Sequence, residues 1–218
     1  DSNNNTYWHL LRDFEAEVEA GVTTLKTDVA WVGSGYSFQL SGVKQAYDIV
    51  TGNQSTRPNI ISLDGWAGSQ RYNSVWTGDQ TGGNWEYIRF HIPTFIGQSL
   101  SGNPNIGSDM DGIWGGDPII ATRDYQWKSF APQMLDMDGW GRYAKGPYVH
   151  GDPYTGVSRM YLKMKAMMMP YIYTNAYAAA NLETGNDDQG LPMIRAMFLE
   201  YPDEAYAYTE AGSQYQYM

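Results

Sequence analysis

Cysteine is absent from the 218 residues, which excludes disulfides and thiolate metal sites but leaves the compartment open. Basic residues are scarce as well: 14 Lys and Arg stand against 24 Asp and Glu, a formal charge of −10. So acidic a surface argues against nucleic acid as a partner, because a phosphate backbone needs a basic one. No apolar run approaches the roughly 18 residues that would read as a membrane-spanning helix. The histidines, His9, His91 and His150, are isolated and fall in no metal-ligand spacing. "DMDG" at 109–112 is not followed by the rest of a calcium-loop pattern. Neither a phosphate-binding loop nor a G-x-S-x-G nucleophile elbow occurs. No metal and no cofactor are expected.

What the chain does have is aromatic surface: 8 Trp and 18 Tyr, many for this length. Aromatic faces interspersed with Asp and Asn suit carbohydrate, whose C–H faces stack while its hydroxyls take hydrogen bonds. An aromatic-rich core explains the same composition equally well.

Hydrophobic periodicity predicts a helix over 7–20, a β-branched strand over 22–29 and a short helix in "SGVKQAYDIVTG" that Gly52 closes. Further strands are expected near 59–63, 74–77, 104–108 and 192–199. Helices are expected at "NWEYIRFHIPTFIGQSLSG" and over a long segment interrupted at Pro170, where Met167, Met168 and Met169 read as core. Strand, polar loop and helix repeat, which implies a parallel sheet with helical crossovers. Asp28, Asp64, Asp79, Asp109 and Asp111 all fall at or just beyond the carboxyl ends of expected strands. In a β/α barrel that rim carries the active site. Only roughly five strands can be found, against the eight of a closed barrel. The pattern therefore reads as a piece of a larger protein.

The segments "GVTTLKTDV" (21–29), "GWAGSQRYNSVWTGD" (65–79), "LSGNPNIGSDMDGIWGG" (100–116), "YLKMKAMMMPYIYTNAYAAA" (161–180) and "GLPMIRAMFLEYPDE" (190–204) resemble glycoside hydrolase family 31, in the family's order. That resemblance spans nearly the whole chain. It implies a partial (β/α)8 TIM barrel, roughly its last five strands, over 1–204, with 205–218 opening a following β-domain. The amino-terminal part of the barrel, which supplies some of the sugar pocket, would be missing from the chain and would be its natural partner.

By the same resemblance Asp28 matches the nucleophile and Asp79 the acid/base of a retaining α-glycosidase. Such an enzyme needs one carboxylate to attack the anomeric carbon and a second group to protonate the leaving oxygen. Lys26 is expected to keep Asp28 ionised, and Trp76 and Trp85 to desolvate Asp79. The plainer alternatives are a strand-end turn for Asp28 and a helix N-cap for Asp79. Trp76 is a sugar wall or a core residue, and Arg71 either holds rim carboxylates or makes a structural ion pair. Asp109 shapes the pocket. Trp31, Asp64 and Trp66 complete the candidate substrate-binding set.

Three departures bear on specificity. Leu63 stands where the family's α-glucosidases usually have an arginine. Asp136 and Asp138 stand where a histidine is usual, and Ile113 replaces a phenylalanine. Loss of the arginine and histidine implies a different group on the C2 side of the sugar, which points to α-N-acetylgalactosaminides or α-galactosides. The alternative to an enzyme is a non-catalytic carbohydrate-binding or structural fragment. Weak or no turnover is expected from these residues alone.

Overall fold

The computed structural model describes residues 13–28, 36–63, 65–139, 144–180 and 190–217. Two units divide the chain, residues 1–76 and residues 77–218.

In the first unit, α1 (Phe14–Glu19) starts at Asp13, whose carboxylate accepts the Ala16 N–H at 3.1 Å. Gly21, at φ +104°, turns the chain into β1 (Thr24–Thr27). β2 (Asn59–Ser62) and β3 (Ser74–Trp76) follow in parallel, with Leu25 opposite Ile60 and Ile61 opposite Ser74. Parallel neighbours need a crossover, and α2 (Tyr36–Asn53) supplies it between β1 and β2. Val43, Ala46 and Val50 recur at helical spacing and pack with Val18, Leu25 and Ile60 into a closed core. The helix runs past Gly52 to Asn53. The Gln54 side-chain amide fixes its end by donating to the Val18 carbonyl at 2.5 Å. Asp64 and Trp31 lie outside the described residues.

The second unit begins with a loop and α3 (Trp85–Leu100). Its N-cap is Asn84, whose side chain accepts the Tyr87 N–H at 3.1 Å, and the helix continues through Pro93. β4 (Ile106–Gly107) takes the Thr77 N–H on Gly107 O at 3.2 Å. α4 (Pro118–Lys128) is capped by Asp117, which accepts from Ile119 and Ile120, both at 2.9 Å. His91, Phe95, Trp127 and Tyr217 stack edge-on in a line, with successive centroids 6.2, 5.1 and 6.5 Å apart.

The long helical segment is interrupted near Pro170 as expected: it divides at Met168 into α5 (Tyr154–Met167) and α6 (Met169–Ala179), with Pro170 in the first turn of α6, where a missing N–H leaves no helical bond unmade. Two expectations are corrected here, the methionine core and the strand near 192–199. The methionine cluster is not core: Met167 is 82% exposed and Met169 50%. Consecutive helical positions point in different directions, so adjacent methionines cannot share one buried face. The segment expected as a strand near 192–199 instead ends in a helical turn, α7 (Met197–Glu200), with a single antiparallel bridge from Ala196 to Tyr217. An ion pair between Arg195 and Glu200, with Arg195 also donating to the Pro192 carbonyl at 3.0 Å, curls this segment. An extended chain would hold those two side chains about 17 Å apart. Residues 205–217 carry a 3-10 turn (Ala205–Tyr208) and α8 (Glu210–Gln214) before the Tyr217 bridge. Among the described residues no helix is long and apolar enough to cross a membrane.

Two predictions follow from this packing. Leu25→Ala empties a site in the first core and should cost about 2–5 kcal/mol in urea unfolding; a loss below about 1 kcal/mol would contradict the packing. His91 is buried, with Nδ1 2.7 Å from the Tyr87 carbonyl and Nε2 3.0 Å from Thr77 Oγ1. Burial first, and then the Lys128 ammonium, pull its pKa from 6.5 down to about 3. The folded value lies below the unfolded one, so unfolding takes up a proton between those two pH values. Stability contributed by the neutral ring is therefore complete above pH 6.5 and falls as pH drops towards 3. His91→Gln should flatten the stability–pH curve in that window, and an unchanged slope would contradict the assignment.

Candidate active site

In the first unit the parallel strands place their carboxyl ends along one edge. Lys26 and Asp28 are two residues apart across the end of β1, and their charged groups approach to 3.5 Å, with side chains 35% and 33% exposed. The same ammonium lies 3.7 Å from the centroid of the Trp76 ring at the end of β3. An exposed pair of this kind contributes little stability, so its effect is local: Asp28 stays reachable from solvent beside a fixed positive charge. Trp76 itself is 1% exposed, and Lys26 covers its ring. Packing therefore describes Trp76 in this chain. Beyond β2, Trp66 is 49% exposed. Arg71 ends a 3-10 turn (Ser69–Arg71) and holds its guanidinium 5.4 Å from the Tyr72 ring.

Asp79 belongs to the second unit, in the loop after β3. It is exposed at a bend between two glycines of positive φ, Gly78 at 88° and Gly83 at 72°. Asn84, not Asp79, caps α3, so the N-cap alternative for Asp79 does not hold. Trp85, the first residue of α3, is 58% exposed.

A loop at 108–117, after β4, lies against the Asp79 loop. The Ile113 N–H donates to the Gln80 carbonyl at 2.9 Å, and Thr81 bridges Gly112 in antiparallel fashion. Asp109 is 1% exposed, so it shapes the loop from inside. Its carbonyl accepts from the Tyr87 hydroxyl and, at 2.8 Å, from Lys128 Nζ. Asp111 is fully buried at φ +53°, a left-handed geometry that asparagine and aspartate tolerate better than most residues. Its backbone N–H donates to Asp124 Oδ2 at 2.8 Å, and Trp127 Nε1 donates to Asp124 Oδ1 at 2.6 Å. Lys128 forms the buried ion pair with Asp124. Lys145, also buried, donates to the carbonyls of Met110, Gly112 and Met137. Burial pushes the Asp111 carboxyl up, opposed by the backbone N–H groups that donate to it. Burial pulls both lysines down, opposed for Lys128 chiefly by Asp124.

Asp124, Lys128 and Lys145 escaped the sequence reading. Their one signal is the i, i+4 spacing of Asp124 and Lys128 in "TRDYQWK", which ordinarily marks a solvated pair. Among the described residues no cluster of three or more His, Asp or Glu could hold a metal.

The family model for the TIM-barrel domain of glycosyl hydrolases family 31 matches residues 5–175. A probable glucan 1,3-alpha-glucosidase of Oryza sativa subsp. japonica is 30% identical over 158 residues, 72% of this chain and 16% of its own length. Alpha-glucosidase 2 of Bacillus thermoamyloliquefaciens is 29% identical over 153 residues, 70% of this chain and 18% of its own. The chain thus spans 16% to 18% of the length of these curated relatives. Among solved structures, a GH31 dextranase of Flavobacterium johnsoniae complexed with isomaltotriose superposes with a TM-score of 0.81 at 21% identity. It covers all of this chain (100%) and 29% of its own. A glucosidase II alpha subunit reaches a TM-score of 0.70 at 28% identity over 82% of this chain and 19% of its own. The parallel strands with their helical crossovers are part of a (β/α)8 barrel, and the chain belongs to glycoside hydrolase family 31.

Proposed function

We propose that this chain carries the two catalytic carboxylates of a retaining α-glycoside hydrolase, with Asp28 as nucleophile and Asp79 as acid/base. The observation that carries the reading is the family match over 5–175, which spans both residues. Asp28 stands at the open end of β1 beside the Lys26 ammonium, and Asp79 stands in the exposed bend after β3.

In the first step the Asp28 carboxylate attacks the anomeric carbon and forms a glycosyl ester. Asp79 gives its proton to the departing glycosidic oxygen as the C–O bond breaks. Asp79, now ionised, takes a proton from water. The hydroxide equivalent attacks the anomeric carbon from the original face and frees Asp28. Two inversions give a product of retained α configuration. The chemistry requires the carboxyl groups about 5–5.5 Å apart in the working enzyme. The remaining strands of the barrel complete the sugar pocket.

The relatives are named as glucosidases, which supports α-linked glucose as the substrate sugar. Leu63, Asp136 and Asp138 support the second reading, an α-N-acetylgalactosaminide or α-galactoside. Both aspartates are exposed, and the Tyr125 hydroxyl orients Asp136 by donating to its Oδ2 at 2.9 Å. An oriented carboxylate accepts hydrogen bonds from hydroxyls and from an acetamido N–H alike. Ile113 bears on this less directly, because it is only 6% exposed and acts through packing.

A panel of aryl α-glycosides, assayed with the whole protein that carries this chain, separates the readings. Cleavage of the N-acetylgalactosaminide or galactoside supports the second reading, and cleavage of the glucoside alone removes it. Asp28→Ala and Asp79→Asn should each lower kcat on an unactivated substrate by roughly 10²-fold or more. Activity equal to the unaltered protein for either variant would leave a carbohydrate-binding fragment as the better description.

A further inference from the structure

We propose that Asp111 is a positioning residue for Asp79: its buried carboxylate joins the end of the acid/base loop to the start of α4 and so sets where Asp79 sits. This inference rests on the reading of Asp79 as acid/base.

The geometry is specific. Asp111 Oδ1 accepts the Gly83 N–H at 2.6 Å, and Oδ2 accepts the N–H groups of Gly116 at 2.6 Å and Asp117 at 3.1 Å. One carboxylate thus bridges two chain segments far apart in sequence, with three charge-assisted hydrogen bonds that are stronger than neutral ones. No neutral side chain of this size replaces it. Asparagine offers one carbonyl oxygen and turns an N–H toward a backbone donor on the other side.

Close approach restricts the loops further. A Cβ on Gly82 would lie 1.7 Å from the Asp111 carbonyl oxygen, and one on Gly115 would lie 1.7 Å from that same oxygen and 2.5 Å from the carboxylate. The Asp79 loop is therefore pinned at Gln80, at Thr81 and at Gly83, all within a few residues of the acid. Lys128 and Lys145 gather the carbonyls of Asp109, Met110 and Gly112 around Asp111, which balances the buried negative charge. Asp111 is 0% exposed and cannot touch a sugar. Whatever it does for the reaction passes through the loop it holds. A displacement of about 1 Å at an acid can cost roughly 10²-fold in rate.

General-acid assistance matters most for poor leaving groups, and this distinguishes a misplaced acid from a damaged protein. The experiment measures kcat/KM of the whole protein on aryl α-glycosides of its preferred sugar, with phenols of graded acidity. Asp111→Asn, Asp79→Asn and the unaltered protein are compared, and thermal melting is followed in parallel. Asp111→Asn should lose roughly 10²-fold on the least acidic phenol and less than about tenfold on 2,4-dinitrophenol, the same slope in kind as Asp79→Asn. A uniform loss, or none, in Asp111→Asn beside a steep slope in Asp79→Asn would overturn the proposal and leave the acid/base reading standing. A flat response in Asp79→Asn would overturn that reading and the proposal with it. Failure of Asp111→Asn to fold would also overturn the proposal, because it would make Asp111 a requirement of the fold.

Discussion

The Asp124–Lys128 ion pair sits on α4 with both side chains at 0% exposure. Charges so placed persist only if their other lone pairs and protons find partners, since desolvation otherwise exceeds the attraction between them. Here the partners are the loop after β4. Asp124 takes the Asp111 N–H and the Trp127 indole, and Lys128 reaches the Asp109 carbonyl and the Tyr87 hydroxyl. Satisfying the pair thus fixes the backbone of the loop. The loop in turn holds Asp111 in its left-handed geometry, and Asp111 holds Gly83 at the end of the Asp79 loop. Dispersion alone would pack these segments together without dictating which N–H meets which oxygen. The buried charges supply that specificity.

The first unit works by a different balance. Its core is aliphatic, built from Val18, Leu25, Val43, Ala46, Val50 and Ile60, and its polar chemistry is confined to the strand ends. Lys26 serves two groups there, the Asp28 carboxylate and the Trp76 ring. The ion pair is part-open to water and weak in energy, while the ring beneath the ammonium is buried. For the nucleophile proposed at Asp28, such a setting is charged and accessible rather than locked.

Much of this architecture was legible in the sequence, because it rests on local signals. The alternation in "TTLKTDV" and "NIIS" located both strands, and the helical spacing of Val43, Ala46 and Val50 located the helix, which begins five residues earlier than expected, at Tyr36. Of the acids expected at strand ends, Asp28 follows β1 and Asp79 lies in the loop after β3, while Asp109 and Asp111 are buried in the loop after β4. What sequence could not show was tertiary. "MIRAMFLEY" reads as apolar and strand-like, yet the Arg195–Glu200 pair and the bridge to Tyr217 curl it. Trp76 looked like a sugar platform, and its burial under Lys26 depends on a neighbour two strands away. Asp111 reads in the sequence only as one more acid beyond a strand end. Its importance arises from Gly83, Gly116 and Asp117 converging on one carboxylate, and no spacing rule anticipates that.

The central claim is that Asp28 forms a covalent bond to the sugar. Trapping with a fluorosugar whose slow hydrolysis accumulates the glycosyl ester, followed by peptide mapping in a mass spectrometer, tests it most directly. The account predicts one added glycosyl group on the peptide that contains Asp28, retained in Asp79→Asn and absent in Asp28→Ala. A label on another carboxylate, or undiminished labelling of Asp28→Ala, would contradict it.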